Sequence, residues 1–219
     1  MKLRKGAEIL SAEKESIGKI DRVVVDPATK EITHLVSQKG FLFKKEKVIS
    51  LEQVQTANEE RVILNKGVDT DNLPDFEEVH HVLLEELEQS APDQVKYAQP
   101  VFYYPLPGAV WWGMEPYSSY GVPPYVAQKE RNIPEGEIPL RKDAEVVSRD
   151  GESIGRVVSL YTEPGGHKIS HLGLVRGLLK KEVKIIPTFW VGGVYEEHIK
   201  LSVDEDFVDR LPSYNKDKE

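Results

Sequence analysis

The sequence predicts a mainly β chain: two small β-barrels in tandem, joined by an acidic helix and an aromatic, Pro-rich strap. Three observations carry this expectation. First, the stretch Glu15–Gly40, ESIGKIDRVVVDPATKEITHLVSQKG, is written again over Glu152–Gly177 as ESIGRVVSLYTEPGGHKISHLGLVRG. The offset is a constant 137 residues, so Gly18 falls on Gly155, Pro27 on Pro164 and His34 on His171. About a third of the aligned pairs are identical from Arg4/Arg141 to Leu64/Leu201, which marks an internal duplication. Second, each copy consists of short β-branched runs spaced by about ten residues, the pattern of a small barrel rather than a helical domain. Third, the segment between the copies differs from both in composition, with a net charge of about −9 against about +3 for residues 1–67 and about −2 for 137–219.

In the first copy, residues 1–74, Ala7 to Leu10 is an apolar run ended by the polar turn Ser11–Glu15. A strand restarts at Ile17 and continues through Val23-Val24-Val25. Asp26-Pro27-Ala28-Thr29 is a turn, since proline presets its backbone angle and the Asp26 carboxylate can accept the following amides. Ile32 to Ser37, Lys47 to Ile49 and Arg61 to Leu64 are further strands, with Leu51–Val54 as a tight connection. Gly18 and Gly155 lie inside strands, where glycine marks a bulge, a bend or a close backbone approach.

On these residues, together with KVISLEQV in the first copy and KIIPTFWV in the second, the chain resembles the PRC-barrel domain family. That fold is shared by the cytoplasmic domain of the photosynthetic reaction-centre H subunit and the carboxy-terminal domain of a ribosome maturation factor. The resemblance implies two barrels serving as docking or adaptor modules, and it supplies no catalytic residues. Stand-alone tandem copies are what the resemblance implies here, with neither a membrane-spanning helix like that of the first relative nor a preceding domain like that of the second expected.

Residues 75–136 form the joint. A helix is expected over Glu77 to Gln89, with Val79, Val82, Leu83 and Leu87 at helical spacings. His80 and His81 are adjacent, so on a helix they point about 100° apart and do not share a metal. The strap that follows holds Tyr103, Tyr104, Trp111, Trp112, Tyr117 and Tyr120 among repeated Pro and Gly, too aromatic for a solvated linker. Three readings stand: a belt packed on the barrels, a surface binding a partner protein, or a platform for single-stranded nucleic acid or sugars.

The second copy, residues 137–212, loosens the first turn to Glu163-Pro164-Gly165-Gly166. Lys44, Lys45 and Lys47 are echoed by Lys180, Lys181 and Lys184, a candidate basic cluster near one end of each barrel that would meet a phosphate or an acidic partner. His34 and His171 share one strand slot, next to Leu35 and Leu172, and read as structural, hydrogen-bonding at a barrel rim. Ser202 is the expected cap of a final helix over Val203 to Leu211, and residues 213–219 form a disordered tail.

Zero cysteines exclude disulfides and thiolate sites, and no apolar run approaches the length of a membrane span. With no secretion signal at the amino terminus, a cytoplasmic location is expected. The function expected is a non-catalytic adaptor or scaffold binding another protein through the barrel faces or the strap, without metal, cofactor or membrane insertion. An accessory role in RNA processing or ribosome assembly is the alternative, disfavoured by the absence of a basic surplus. A small-molecule or metal-binding enzyme ranks last. Pairing between barrels or between chains, as a homo-oligomer, would cover strand edges.

Overall fold

The computed structural model describes residues 1–4, 6–40, 44–83, 100–101, 125–141, 143–176 and 182–214. The first copy contributes β1 (Lys2–Arg4), β2 (Glu8–Leu10), β3 (Ser16–Val25), β4 (Ile32–Lys39), β5 (Lys45–Ser50), β6 (Val54–Ala57) and β7 (Arg61–Leu64). Between the copies lie β8 (Glu77–Leu83), β9 (Pro100–Val101) and β10 (Tyr125–Arg131). The second copy contributes β11 (Ile138–Arg141), β12 (Glu145–Val147), β13 (Ser153–Thr162), β14 (Ile169–Arg176), β15 (Glu182–Pro187), β16 (Val191–Val194) and β17 (His198–Leu201). A five-residue helix, α1 (Glu205–Asp209), and the short strand β18 (Ser213–Tyr214) follow.

Each copy curls into a half-barrel, and the two orders correspond strand for strand: β5-β4-β3-β2-β7-β6 and β15-β14-β13-β12-β17-β16. Among the described residues each path is open, ending on β6 or β16, so the closed or nearly closed barrels expected from the sequence take the form of curled half-barrels by strand pairing. Register is repeated with the same slips. Ile9 faces Gly18 before a bulge, and Val146 faces Gly155 before its counterpart. At Gly18 φ is +145°, and an added Cβ would sit 2.7 Å from Gln38 O; at Gly155 φ is +158°, and the clash is with Val175 O. Both glycines therefore serve a bulge at which two backbones approach closely.

The first strands are exchanged. Instead of joining its own copy, β1 pairs with β13 (Lys2 to Tyr161, Leu3 to Leu160, Arg4 to Ser159). Reciprocally, β11 pairs with β3 (Pro139 to Val24, Leu140 to Val23, Arg141 to Arg22). The three pairs of the β1 ladder map onto three of the four in the β11 ladder by the 137-residue offset, so the copies are related by a pseudo-two-fold. Its centre lies at a bridge between Glu31 and Lys168, where Ile32 N donates to His167 O at 3.0 Å and Ile169 N to Lys30 O at 2.9 Å.

One hydrophobic core follows from the exchange. Leu3, Ile9, Ile20, Val23, Leu35 and Ile49 of the first copy join Leu140, Val146, Val157, Leu160, Leu172 and Ile186 of the second in a single cluster. Accordingly residues 1–76 and 132–219 constitute one compact unit, and 77–131 another. On the opposite face of the first sheet Val24, Val36 and Val48 are covered by Phe76 and Ile133, which explains why the run Val23-Val24-Val25 is apolar without alternation.

The second unit, by itself, is a three-stranded antiparallel sheet in the order β8-β10-β9. This corrects the helix expected over 77–89: Glu77 to Leu83 is a strand, and 84–89 lie outside the described residues. Tertiary pairing overrides the local period. Glu77 lies opposite Arg131, with its carboxylate 3.4 Å from the guanidinium and 3.8 Å from Lys129 Nζ, while His80 Nε2 is 3.7 Å from Glu130. The Glu77 carboxylate beside the Arg131 and Lys129 cations across the ladder favours the strand, and a periodicity count cannot see such pairs. The final helix is also shorter than expected, and Asp204, held by a bidentate bond from Arg149 (2.7 and 3.0 Å), occupies its N-cap in place of Ser202.

Candidate functional site

The two copies fold alike, so a position where they differ in exposed chemistry points to function. The clearest such difference lies at the edge strands. In the first copy the turn before β6, Leu51–Gln53, is closed by a capping box: Ser50 Oγ accepts from Glu52 N, and Gln53 Oε1 accepts from Ser50 N at 3.1 Å. The exposed residues there are polar. In the second copy Pro187, Thr188, Phe189 and Trp190 stand at those positions, and no side-chain cap is made. The turn is held from beneath instead, with Thr188 Oγ1 lying 2.8 Å from Ile169 O and from Ser170 O.

Releasing the turn from its cap leaves aromatic rings on the surface. Phe189 is 75% exposed and packs edge-on against Trp190 at 6.1 Å. Tyr195, 50% exposed, stacks on His198 at 4.4 Å with 17° between the rings. Gly193 makes room for this pair, since a Cβ there would lie 3.1 Å from the Tyr195 ring. The first copy has Glu52, Gln53, Asn58 and Arg61 in the four equivalent places. Between the rings runs β16, the last strand on its sheet's path, pairing with β17 on one side among the described residues. A strand edge without a partner strand among the described residues, flanked by exposed rings, offers main-chain hydrogen bonds beyond Val191 together with apolar anchors.

The sequence did not single out Phe189, Trp190, Tyr195 or His198. Its available signal was the aligned difference between SLEQ and PTFW, legible only once the copies are known to fold alike.

The residues that were singled out fall elsewhere. Tyr103, Tyr104, Trp111, Trp112, Tyr117 and Tyr120 lie outside the described residues, as do Lys180 and Lys181. Lys44 and Lys45 are exposed. Lys47 and Lys184, by contrast, are directed into the fold. Lys47 Nζ donates to Leu73 O at 2.8 Å and pairs with Asp75 at 3.0 Å; Lys184, 5% exposed, donates to Asp209 O and Leu211 O, each at 2.8 Å. These two lysines fasten the end of each copy to β5 or β15, which takes them out of a basic cluster open to a partner. His34 Nδ1 lies 3.0 Å from Thr33 Oγ1, and His171 Nδ1 lies 3.1 Å from Ser170 Oγ. Glu137 accepts the Thr33 hydroxyl directly and is 3.8 Å from His34. A carboxylate bonded to the hydroxyl itself, rather than to the far side of the imidazole, is not the relay order of a nucleophile, base and orienting acid. Among the described residues no three His, Asp or Glu side chains converge as metal ligands, and no helix is long and apolar enough to cross a membrane.

Compared with known families, residues 5–70 match the model of the PRC-barrel domain, a small β-barrel family often involved in protein interaction. No curated protein matches the chain.

Proposed function

Because the chain carries a PRC-barrel domain over residues 5–70, we propose that it is a non-catalytic, cytoplasmic adaptor that binds another protein along the β16 edge of its second copy. The exposed aromatic pair Phe189 and Tyr195 carries this reading, because the same fold presents Glu52 and Asn58 in the other copy. Stability alone does not require rings at those places: the first copy makes the same turn and strand with polar residues. Large rings beside an open edge are the chemistry of strand addition, with the backbone ladder giving affinity and the rings giving selectivity. The partner is an extended segment with apolar side chains at alternate positions.

A photoreactive phenylalanine analogue placed at 189, and in a second chain at the equivalent position 52, tests this directly. Irradiation is expected to trap a protein at 189 and not at 52. That protein, purified, is expected to bind the full chain about tenfold or more weakly after Tyr195→Ser. Equal trapping at both positions, or binding indifferent to Tyr195, would contradict the reading. Release of the trapped complex's partners by ribonuclease would transfer the function to RNA processing or ribosome assembly.

A further inference from the structure

The pseudo-two-fold is also broken at the equivalent pair Lys30 and His167, whose turns place their positive φ at Lys30 and at Gly165. Lys30 reaches across to the second copy, where its Nζ lies 3.0 Å from Thr188 O and 3.5 Å from Val191 O. Those carbonyls belong to the turn Thr188–Trp190 and to the first residue of β16. Thr188 O keeps a lone pair for the ammonium after accepting from Val191 N.

The first copy builds the same receptor. Its turn Leu51–Gln53 begins from an extended N-cap, Ser50 at φ −64° and ψ 142°, against Pro187 at φ −70° and ψ 141°. It closes with Val54 N bonded to Leu51 O, as Val191 N is bonded to Thr188 O. The edge strand that follows slips register at the same place, after Val54 in β6 and after Val191 in β16. Leu51 O and Val54 O are thus the counterparts of the two carbonyls that hold Lys30, and among the described residues no side-chain donor bonds them.

What faces them is not lysine. His167 is exposed, and Gly165 and Gly166, which stand where the first copy has Ala28 and Thr29, carry no side chain. The result is an open cleft of about 210 Å³ lined by Leu51, Val54, Thr56, Gly165, Gly166 and His167, among others. It is smaller than the roughly 300 Å³ at which sites for drug-sized ligands begin, and is on the scale of a single side chain. The α-amino group of Met1, another lining residue, is held by Thr162 Oγ1 at 2.9 Å.

We propose that this cleft receives a lysine side chain from a partner protein, its ammonium taking at Leu51 O and Val54 O the place that Lys30 takes at Thr188 O and Val191 O. One copy supplies the lysine internally and the other leaves the receptor open. The site is distinct from the β16 edge and does not depend on it.

Amide NMR of the full chain, titrated with Nα-acetyl-lysine N-methylamide, tests the proposal. Saturable shifts are expected at Val54 to Ala57 and Gly165 to His167. The Nε-acetylated form, which keeps one neutral N–H but no charge, and the Nε-trimethylated form, which keeps the charge but no N–H, are each expected to bind at least tenfold more weakly. His167→Lys should fill the cleft from within and lower affinity at least tenfold with the amide spectrum otherwise retained. Lys30→Met should open a second site, read as new shifts at Val191 to Gly193. Absence of saturable shifts in the unmodified chain, shifts confined to other residues, or a folded His167→Lys chain that binds undiminished would each overturn it. Should Lys30→Met lose its native spectrum, the His167→Lys comparison decides alone.

Discussion

Gly18 and Gly155 show how a single missing methyl group shapes each half-barrel. A Cβ at Gly18 would intrude to 2.7 Å of Gln38 O, at a backbone angle that side chains rarely adopt. Gly18→Ala is therefore expected to destabilise the chain by about 2–4 kcal/mol, combining strained backbone with overpacking, and urea midpoints compared with the unmodified chain measure it. Acid stability is set at the same scale by turn carboxylates. The Asp26 carboxyl is lowered chiefly by the Ala28 amide, then by the Thr29 hydroxyl; Asp69 is lowered chiefly by the Asn72 side chain, and Asp150 by the Ser148 hydroxyl. Each folded value lies below the unfolded one, so the stabilisation is complete above the unfolded value near pH 4 and is lost as pH falls through the folded value. Melting temperature is expected to fall more steeply below about pH 4 than above it, and Asp26→Asn should flatten part of that slope. A chain whose melting temperature is level down to pH 2 would contradict this assignment.

At the scale of elements, the exchanged strands β1 and β11 matter most. Leu3 and Leu140 are 2% and 3% exposed, each seated in the other copy's half of the core. Leu140→Ala is expected to cost about 2–5 kcal/mol, and its effect should reach the amides of β3 in the first copy, from which Leu140 is far in sequence but adjacent in the ladder. Most of the strands were legible in the sequence because their β-branched runs and turn residues are local signals, and Pro27, Gly18 and His34 recur on schedule in the second copy. The exchange was not legible: Leu3 and Leu140 read as apolar whichever β3 or β13 they join. Neither was β8, whose ladder to β10 is long-range while the spacing of Val79, Val82 and Leu83 imitates a helix. Of the candidate site, the basic residues were visible but not their destinations. Lys184 looks like a surface lysine until the carbonyls of Asp209 and Leu211 are seen to claim it. The exposed rings at 189 and 195 escaped notice because an aromatic residue in a strand-rich chain is ordinarily core.

At the scale of the two copies together, duplication has produced one compact unit, residues 1–76 and 132–219, and not two beads on a string. Each copy lends the other a strand, and a single cluster of apolar side chains runs through both. A shared core leaves the exposed surfaces free to diverge, which is where the copies do differ: polar cap against aromatic edge, Lys30 against His167. Native-state hydrogen exchange of the full chain in mild denaturant probes that union most directly, by comparing the amides of β3 with those of β13. If the copies are one unit, the most protected amides of both strands share a single opening free energy and the same denaturant slope, merging at the global unfolding of the chain. If instead the β13 amides exchange through an opening that leaves β3 protected, with free energies separated by more than about 1.4 kcal/mol, a tenfold difference in opening, the copies unfold separately and the exchanged strands do not bind them together.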